Sequence, residues 1–238
     1  MLFEGAISGK AILEAGRRPV ETLYIDPAKR SRDFAYIIAI AKKQGVPVEF
    51  LSRPEMDALA GSAAHGGLLL KAGSRPRLKL DRLEPGFVCY IDGVEDPFNL
   101  GSIARTLYAA GCSQLILPER DWSAAEMRIL KASAGAWERL PVVYANEEEV
   151  VRACKEQNVP VIAADRKDAV ALTHFSYPEN FCLALGGALR GLGRKIREAA
   201  QERVYITYGR EFRNALDTAS STAVFAFEYV RQKENGGI

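Results

Sequence analysis

Long apolar runs are missing from this chain. No stretch of about 18 consecutive apolar residues is present to span a bilayer, and Met1-Leu2-Phe3-Glu4-Gly5 does not read as the start of a signal peptide. A soluble cytoplasmic protein without a membrane partner is expected. Cysteine is sparse: Cys89, Cys112, Cys154 and Cys182 stand singly, no CxxC pair occurs, and there are only 2 histidines. Buried thiols are therefore expected in place of disulfides or zinc ligands, and no metal site is expected. Internal repeats and low-complexity tracts are absent as well.

A strong net charge is also lacking, since the 238 residues sum to +2. The balance is uneven along the chain. Residues 1–80 carry 13 Lys and Arg against 8 Asp and Glu, a net +5, whereas residues 81–238 carry 19 against 22, a net −3. The basic amino-terminal third points to a polyanion partner, with a solvated surface as the plainer alternative. Arg17, Arg18, Lys29, Arg30 and Arg32 are the group expected to contact phosphates.

What is present is 48% hydrophobic and 26% charged residues, enough to bury a large core in one domain or two smaller ones. Hydrophobic spacing predicts a helix over 6–15, a strand over 22–25, a helix over 33–44, a strand over 46–51, a short helix over 53–60 and a strand over 68–71. Residues 72–86 lose that periodicity and contain Gly73, Pro76 and Pro85, so a linker is expected over 76–85 between domains at 1–75 and 86–238. Strands at 88–91, 114–117, 142–143, 159–163 and 181–185 alternate with helices over 99–110, 124–134 and 147–158. That alternation predicts an α/β protein with a mostly parallel sheet covered on both faces.

Three stretches carry chemistry. In the first, strand residues Val88–Ile91 run into Asp92-Gly93 and Asp96-Pro97, and a helix follows for which Asn99 is a good N-cap. Asp92, Asp96 and Asn99 then lie at the carboxyl end of a strand, where open α/β sheets bind ligands, with Arg105 within two turns. The plainer reading is a capping Asn99 and a solvated Arg105. The second stretch runs from Leu183 through Gly186-Gly187 to Leu192 and lets backbone approach a ligand closely, although it is neither GxGxxG nor a phosphate-binding P-loop. In the third, a strand from Val204 leads through a polar loop to a helix rich in small residues from Thr218, which allows a tight chain crossing.

Asp96-Pro97-x-Asn99-Leu100-Gly101-x-Ile103-x-Arg105-Thr106 resembles the DPxNxGxIxRT motif of the SpoU/TrmH RNA methyltransferases of the SPOUT superfamily. Ser133-Ala134-Gly135-Ala136 before Leu140-Pro141-Val142 is similar to a second family signature. Gly5 to Leu13 and His65-Gly66-Gly67 resemble the ribosomal-protein-like substrate-binding domain of these enzymes. The likeness spans nearly the whole chain. It departs at Ala188, where the family has glutamate, and at Asn214-Ala215-Leu216, where the family has Ser-Leu-Asn.

The resemblance implies a carboxyl-terminal trefoil knot, a smaller amino-terminal α/β domain, and a homodimer. It implies S-adenosylmethionine held mostly by backbone at Ala164, Leu185, Gly186, Ile206 and Leu216. It also implies ribose 2′-O-methylation of ribosomal or transfer RNA, with Arg105 catalytic, Asn99 positioning Arg105 or the ribose, and Asn214 standing in from a shifted position. His65 would contact RNA, or would be a turn residue satisfying local backbone groups. An RNA-binding protein of the same fold with lost or altered catalysis is the alternative that Ala188 and Leu216 raise. A small-molecule α/β enzyme is a third, which leaves the basic amino-terminal unit unexplained.

Overall fold

A computed structural model describes residues 1–187 and 190–236 of the chain. The amino-terminal unit comprises β1 (Leu2–Glu4), α1 (Ala6–Ala15), β2 (Val20–Ile25), α2 (Arg32–Lys43), β3 (Val48–Phe50), α3 (Arg53–Ala60) and β4 (Leu68–Ala72). Its four-stranded sheet has the order β1-β4-β2-β3, in which only β2 and β3 run parallel.

The remainder comprises β5 (Leu78–Lys79), β6 (Phe87–Ile91), α4 (Pro97–Ala109), β7 (Gln114–Leu117), α5 (Glu126–Ala132), α6 (Ala136–Arg139), β8 (Val142–Tyr144), α7 (Glu147–Glu156) and β9 (Val161–Ala164). It continues through β10 (Val170–Ala171), β11 (Phe181–Leu185), α8 (Arg194–Ala199), β12 (Glu202–Tyr205) and α9 (Thr218–Glu234). Eight strands in the order β10-β12-β9-β11-β6-β7-β8-β5 form one sheet in which every pair is parallel. The central strands FVCYI and FCLAL are buried at every position, as expected of strands covered on both faces. Their register pairs Cys89 with Leu183.

The elements depart from the sequence expectation in places with clear causes. Asp96, not Asn99, caps α4: its carboxylate accepts from the Asn99 amide at 2.8 Å, and Pro97 takes the first helical position, where its missing N–H costs nothing. The helix expected over 124–134 ends at Ala132, because Ala134 and Gly135 both take positive φ, and a short α6 follows. Nor is the 76–85 segment without structure, since β5 extends the large sheet alongside β8 and Leu83 is buried.

The two sheets are fastened together. Arg18, between α1 and β2, bonds Glu126 of α5 and Glu138 of α6, all three being buried. Lys131 reaches Glu4 at 2.5 Å, and Arg75 donates to the carbonyls of Trp137 and Leu140. Within the large unit α4 packs closely on α5: a Cβ on Gly101 would stand 2.7 Å from the carbonyl oxygen of Ile129.

Candidate active site

Parallel strands send all their carboxyl ends to one rim, and four loops meet there. They follow β6 (Asp92 to Asp96), β9 (Asp165 and Arg166), β11 (from Gly186) and β12 (Ile206 to Asp217). The loop after β11 closes on itself, with Gly187 bridging Gly191, and a Cβ on Gly186 would overlap the backbone of Gly191 and Leu192. Only glycine permits that approach. The loop after β6 abuts this turn, a Cβ on Gly93 standing 3.3 Å from the Gly187 nitrogen.

Between the loops after β9, β11 and β12 is a cleft of about 340 Å³. Ala164, Leu185, Gly186, Ile206 and Leu216, five positions expected to hold a cofactor, all line it. Its walls combine aliphatic side chains and glycine backbone with Tyr205, Tyr208 and Phe225, and Asp165, Arg166, Arg213 and Ser221 supply polar points, the make-up of a pocket for a ligand with an apolar body and a few polar groups. Leu216 enters as an apolar residue, and its amide donates to the Tyr208 hydroxyl at 3.1 Å. Ala188 lies outside the described residues.

Arg166, which the sequence reading passed over, organises the loop after β12. Its guanidinium donates to the carbonyls of Arg213 and Asn214, each at 3.1 Å, and lies 4.7 Å from the centre of the Tyr208 ring. The only signal for it was its place just beyond the carboxyl end of β9. Asp217 caps α9 by accepting from Ser220, and that bonding holds its carboxyl below the usual aspartate range. Asp92 is shifted the other way. Burial, reinforced by Glu147, pushes its carboxyl up even though it accepts the Gly193 amide at 3.2 Å.

Of the residues expected to be catalytic, Asn99 and Arg105 lie exposed on α4, and Asn214 is exposed in the loop after β12. None of the three lines the cleft itself. Asn214 sits between the lining residues Arg213 and Ala215, whereas Asn99 and Arg105 belong to the helix that follows the β6 loop, no residue of which lines the cleft.

The basic group divides. Lys29, Arg30 and Arg32 are exposed on one short stretch at the start of α2, and half-buried Arg17 donates to the Arg139 carbonyl. Arg18 is corrected: its side chain is fully buried and committed to Glu126 and Glu138, so it offers nothing to a phosphate. His65 is corrected as well. Its ring is buried, with Nε2 2.7 Å from Asp57 and Nδ1 accepting the Gly67 amide at 3.1 Å, so it closes a turn. Among the described residues no cluster of three His, Cys, Asp or Glu side chains is placed to hold a metal ion, and no helix is long and apolar enough to cross a membrane.

Comparison with known proteins gives concordant matches. A model described as the SpoU rRNA Methylase family matches residues 86–227. One described as RNA 2′-O ribose methyltransferase substrate binding matches residues 10–76. The chain is 27% identical to 23S rRNA (guanosine-2′-O-)-methyltransferase RlmB of Pectobacterium atrosepticum, over 98% of each chain. Among solved structures it is similar to the AdoMet-bound rRNA methyltransferase of Sinorhizobium meliloti, with a TM-score of 0.79 and 22% identity over 97% of this chain and 87% of that one. It is also similar to the SpoU methyltransferase AviRb of Streptomyces viridochromogenes in complex with AdoMet, with a TM-score of 0.77 and 21% identity over 98% and 90%.

Proposed function

The chain belongs to the SpoU rRNA methylase family, and from that membership we propose that it methylates RNA with S-adenosylmethionine, at a ribose 2′-hydroxyl of ribosomal or transfer RNA. The observation that carries this reading is the meeting of Ala164, Leu185, Gly186, Ile206 and Leu216 in one cleft. The residues present fit the cofactor: aliphatic walls suit its adenine and thioether portions, and the Gly186 turn offers backbone at close range. Similarity to enzymes named for guanosine 2′-O-methylation of 23S rRNA supports a ribose in ribosomal RNA as the target.

S-adenosylmethionine supplies an electrophilic methyl group on a sulfonium. The chain's own residues have to hold the cofactor, present the ribose and dispose of the hydroxyl proton. Arg166 fixes the loop after β12 through the Arg213 and Asn214 carbonyls and so shapes the cofactor wall. A guanidinium has five donors and no acceptor, so Arg105 serves by gripping a phosphate of the substrate, whose oxygen takes the proton more readily than the arginine itself. Asn99, one turn into the same helix, orients the ribose, and Asn214 contributes from the opposite loop.

Residues 1–75 are the RNA-recognition domain in this reading, as the substrate-binding match supports, and Arg17, Lys29, Arg30 and Arg32 are its phosphate contacts. The contact of Thr218 Oγ1 with the Gly186 carbonyl, at 3.3 Å, supports the trefoil knot by bringing the start of α9 against the loop after β11. Exposed Phe98 and Tyr108 on α4 and Val224 and Phe227 on the adjacent α9 support a homodimer formed through this face. Cytoplasm is the proposed location.

Leu216, apolar in the cleft, favours one rival reading, an RNA-binding protein that has lost methyl transfer. Mass-spectrometric comparison of modified nucleosides in ribosomal and transfer RNA from cells with and without the gene separates the two. A 2′-O-methylnucleoside lost with the gene supports the enzyme, and an unchanged profile overturns it.

A further inference from the structure

The amino-terminal sheet ends on an open edge. In the order β1-β4-β2-β3, β3 pairs only with β2, so its outer side has no partner strand among the described residues. Proteins ordinarily guard such an edge with charge or proline, yet β3 closes on Phe50, which is 59% exposed. Phenylalanine is among the residues most often buried. The ring pairs and cation contacts found among the described residues involve other rings, so both faces of this one are uncommitted.

Three cations issue from the same end of the sheet. β2 and β3 run parallel with Ile25 opposite Phe50, and the Leu51 amide donates to the Ile25 carbonyl at 3.1 Å. The chain leaves β2 directly after Ile25 and carries Lys29 and Arg30 in the loop and Arg32 in the first turn of α2. All three are exposed. Arg18, Arg53 and Lys71 form the arginine and lysine ion pairs of this unit, whereas Lys29, Arg30 and Arg32 form none among the described residues.

Lys29 is nevertheless held in place. Its stem lies across Gly67, where an added Cβ would stand 2.8 Å from the Lys29 Cγ, and Gly67 is itself fixed through its amide to His65 and through its carbonyl to the Asp26 amide. Nearby acids do not cancel the three charges. Asp26 is buried and accepts the Ala28 amide at 2.9 Å, Glu49 alternates to the face of β3 opposite Phe50, and Asp33 offsets one cation of the three.

An open ring beside uncommitted cations suits single-stranded RNA, whose backbone is anionic and whose unpaired bases stack on aromatic side chains. Duplex RNA would satisfy the cations and leave the ring unused. A protein partner seeks a contiguous apolar patch, whereas the companions of Phe50 at this end of the sheet are charged.

We propose that Phe50 stacks one unpaired base of the RNA substrate while Lys29, Arg30 and Arg32 hold the phosphates beside it. The proposal rests on the RNA-methyltransferase reading and adds to it the residue by which the amino-terminal unit tells a loop from a duplex.

Filter binding of the full chain to single-stranded oligouridylate, and to the duplex that it forms with oligoadenylate, tests this. Phe50→Leu, which keeps an apolar side chain without a flat ring, should weaken single-strand binding roughly tenfold, the scale of losing one stacking partner. Its salt slope should not change, because no phosphate contact is lost, and duplex binding should stay as in the wild type. Phe50→Trp should retain the single-strand affinity. Single-strand binding by Phe50→Leu as tight as that of the wild type overturns the stacking role and leaves the RNA reading standing. An equal loss on single strand and duplex overturns it too. Altered sedimentation of Phe50→Leu with RNA binding intact overturns it in favour of a contact between copies of the chain. If the wild type holds neither RNA, the RNA reading fails and this proposal fails with it.

Discussion

Nη2 of Arg18 lies 2.7 Å from Oε1 of Glu126, and the same guanidinium bonds Glu138. A cation that its neighbours in sequence mark as a phosphate contact thus fastens the two sheets to each other. Removing it leaves two buried carboxylates unpaired, which typically costs about 3–5 kcal/mol. Arg18→Ala should therefore unfold at clearly lower denaturant concentration than the wild type. A midpoint unchanged in a urea titration would contradict the role assigned to it.

The burial of Arg18 directs attention to Lys29, Arg30 and Arg32, whose side chains remain exposed. Replacing all three with glutamine should weaken RNA binding. It should also reduce the slope of log affinity against log salt by about 2 to 3, as each phosphate contact contributes roughly 0.7–0.9. Filter binding over a range of salt concentrations measures both. An unaltered slope would move the phosphate contacts elsewhere.

How much of this was legible in the sequence depended on how local the determining interactions are. The strand over Phe181–Leu185 and the helix over Arg53–Ala60 declare themselves through apolar runs, spacing and capping residues, and the five cleft positions through motif likeness. Arg18 and His65 could not be read in this way. The partners of Arg18 are 108 and 120 residues distant, and the Asp57 partner of the buried His65 ring comes from α3. A strand as short as Leu78–Lys79 has no periodicity to detect, and its place is set by β8. The capping of α4 was misread by three residues because Asn99 and Asp96 are both good caps, and Pro97 decides between them.

Acid should loosen the junction between the sheets. Burial raises the Glu4 carboxyl, but hydrogen bonds from Lys131 and Ser62 outweigh it and hold the pKa below the ordinary 4.5. A carboxyl with a depressed native pKa adds stability that is present above its unfolded pKa and is lost as pH falls through the native one. Stability of the wild type should thus decline below about pH 4.5, and Lys131→Met should flatten part of that decline. Thermal unfolding from pH 7 to pH 3 checks this, and parallel profiles for the two proteins would contradict it.

The exposed rings on α4 and α9 make a separate claim about assembly. Phe227, 49% exposed, should be buried between two copies, so Phe227→Glu is expected to shift the protein from dimer to monomer in sedimentation velocity at micromolar concentration. A wild type that is already monomeric there, or a variant that stays dimeric, would remove this face from the interface.

Methyl transfer itself is most directly tested by a single-turnover assay with labelled S-adenosylmethionine and ribosomal RNA, digested afterwards to nucleosides. Arg105→Ala should keep the fold, an exposed arginine contributing within about 0.5 kcal/mol, and should bind the cofactor as before. The account predicts label in a 2′-O-methylnucleoside with the wild type, and a rate lower by a factor on the order of 100 or more with the variant. No labelled nucleoside from the wild type on any RNA pool, or equal rates for the two proteins, would contradict it.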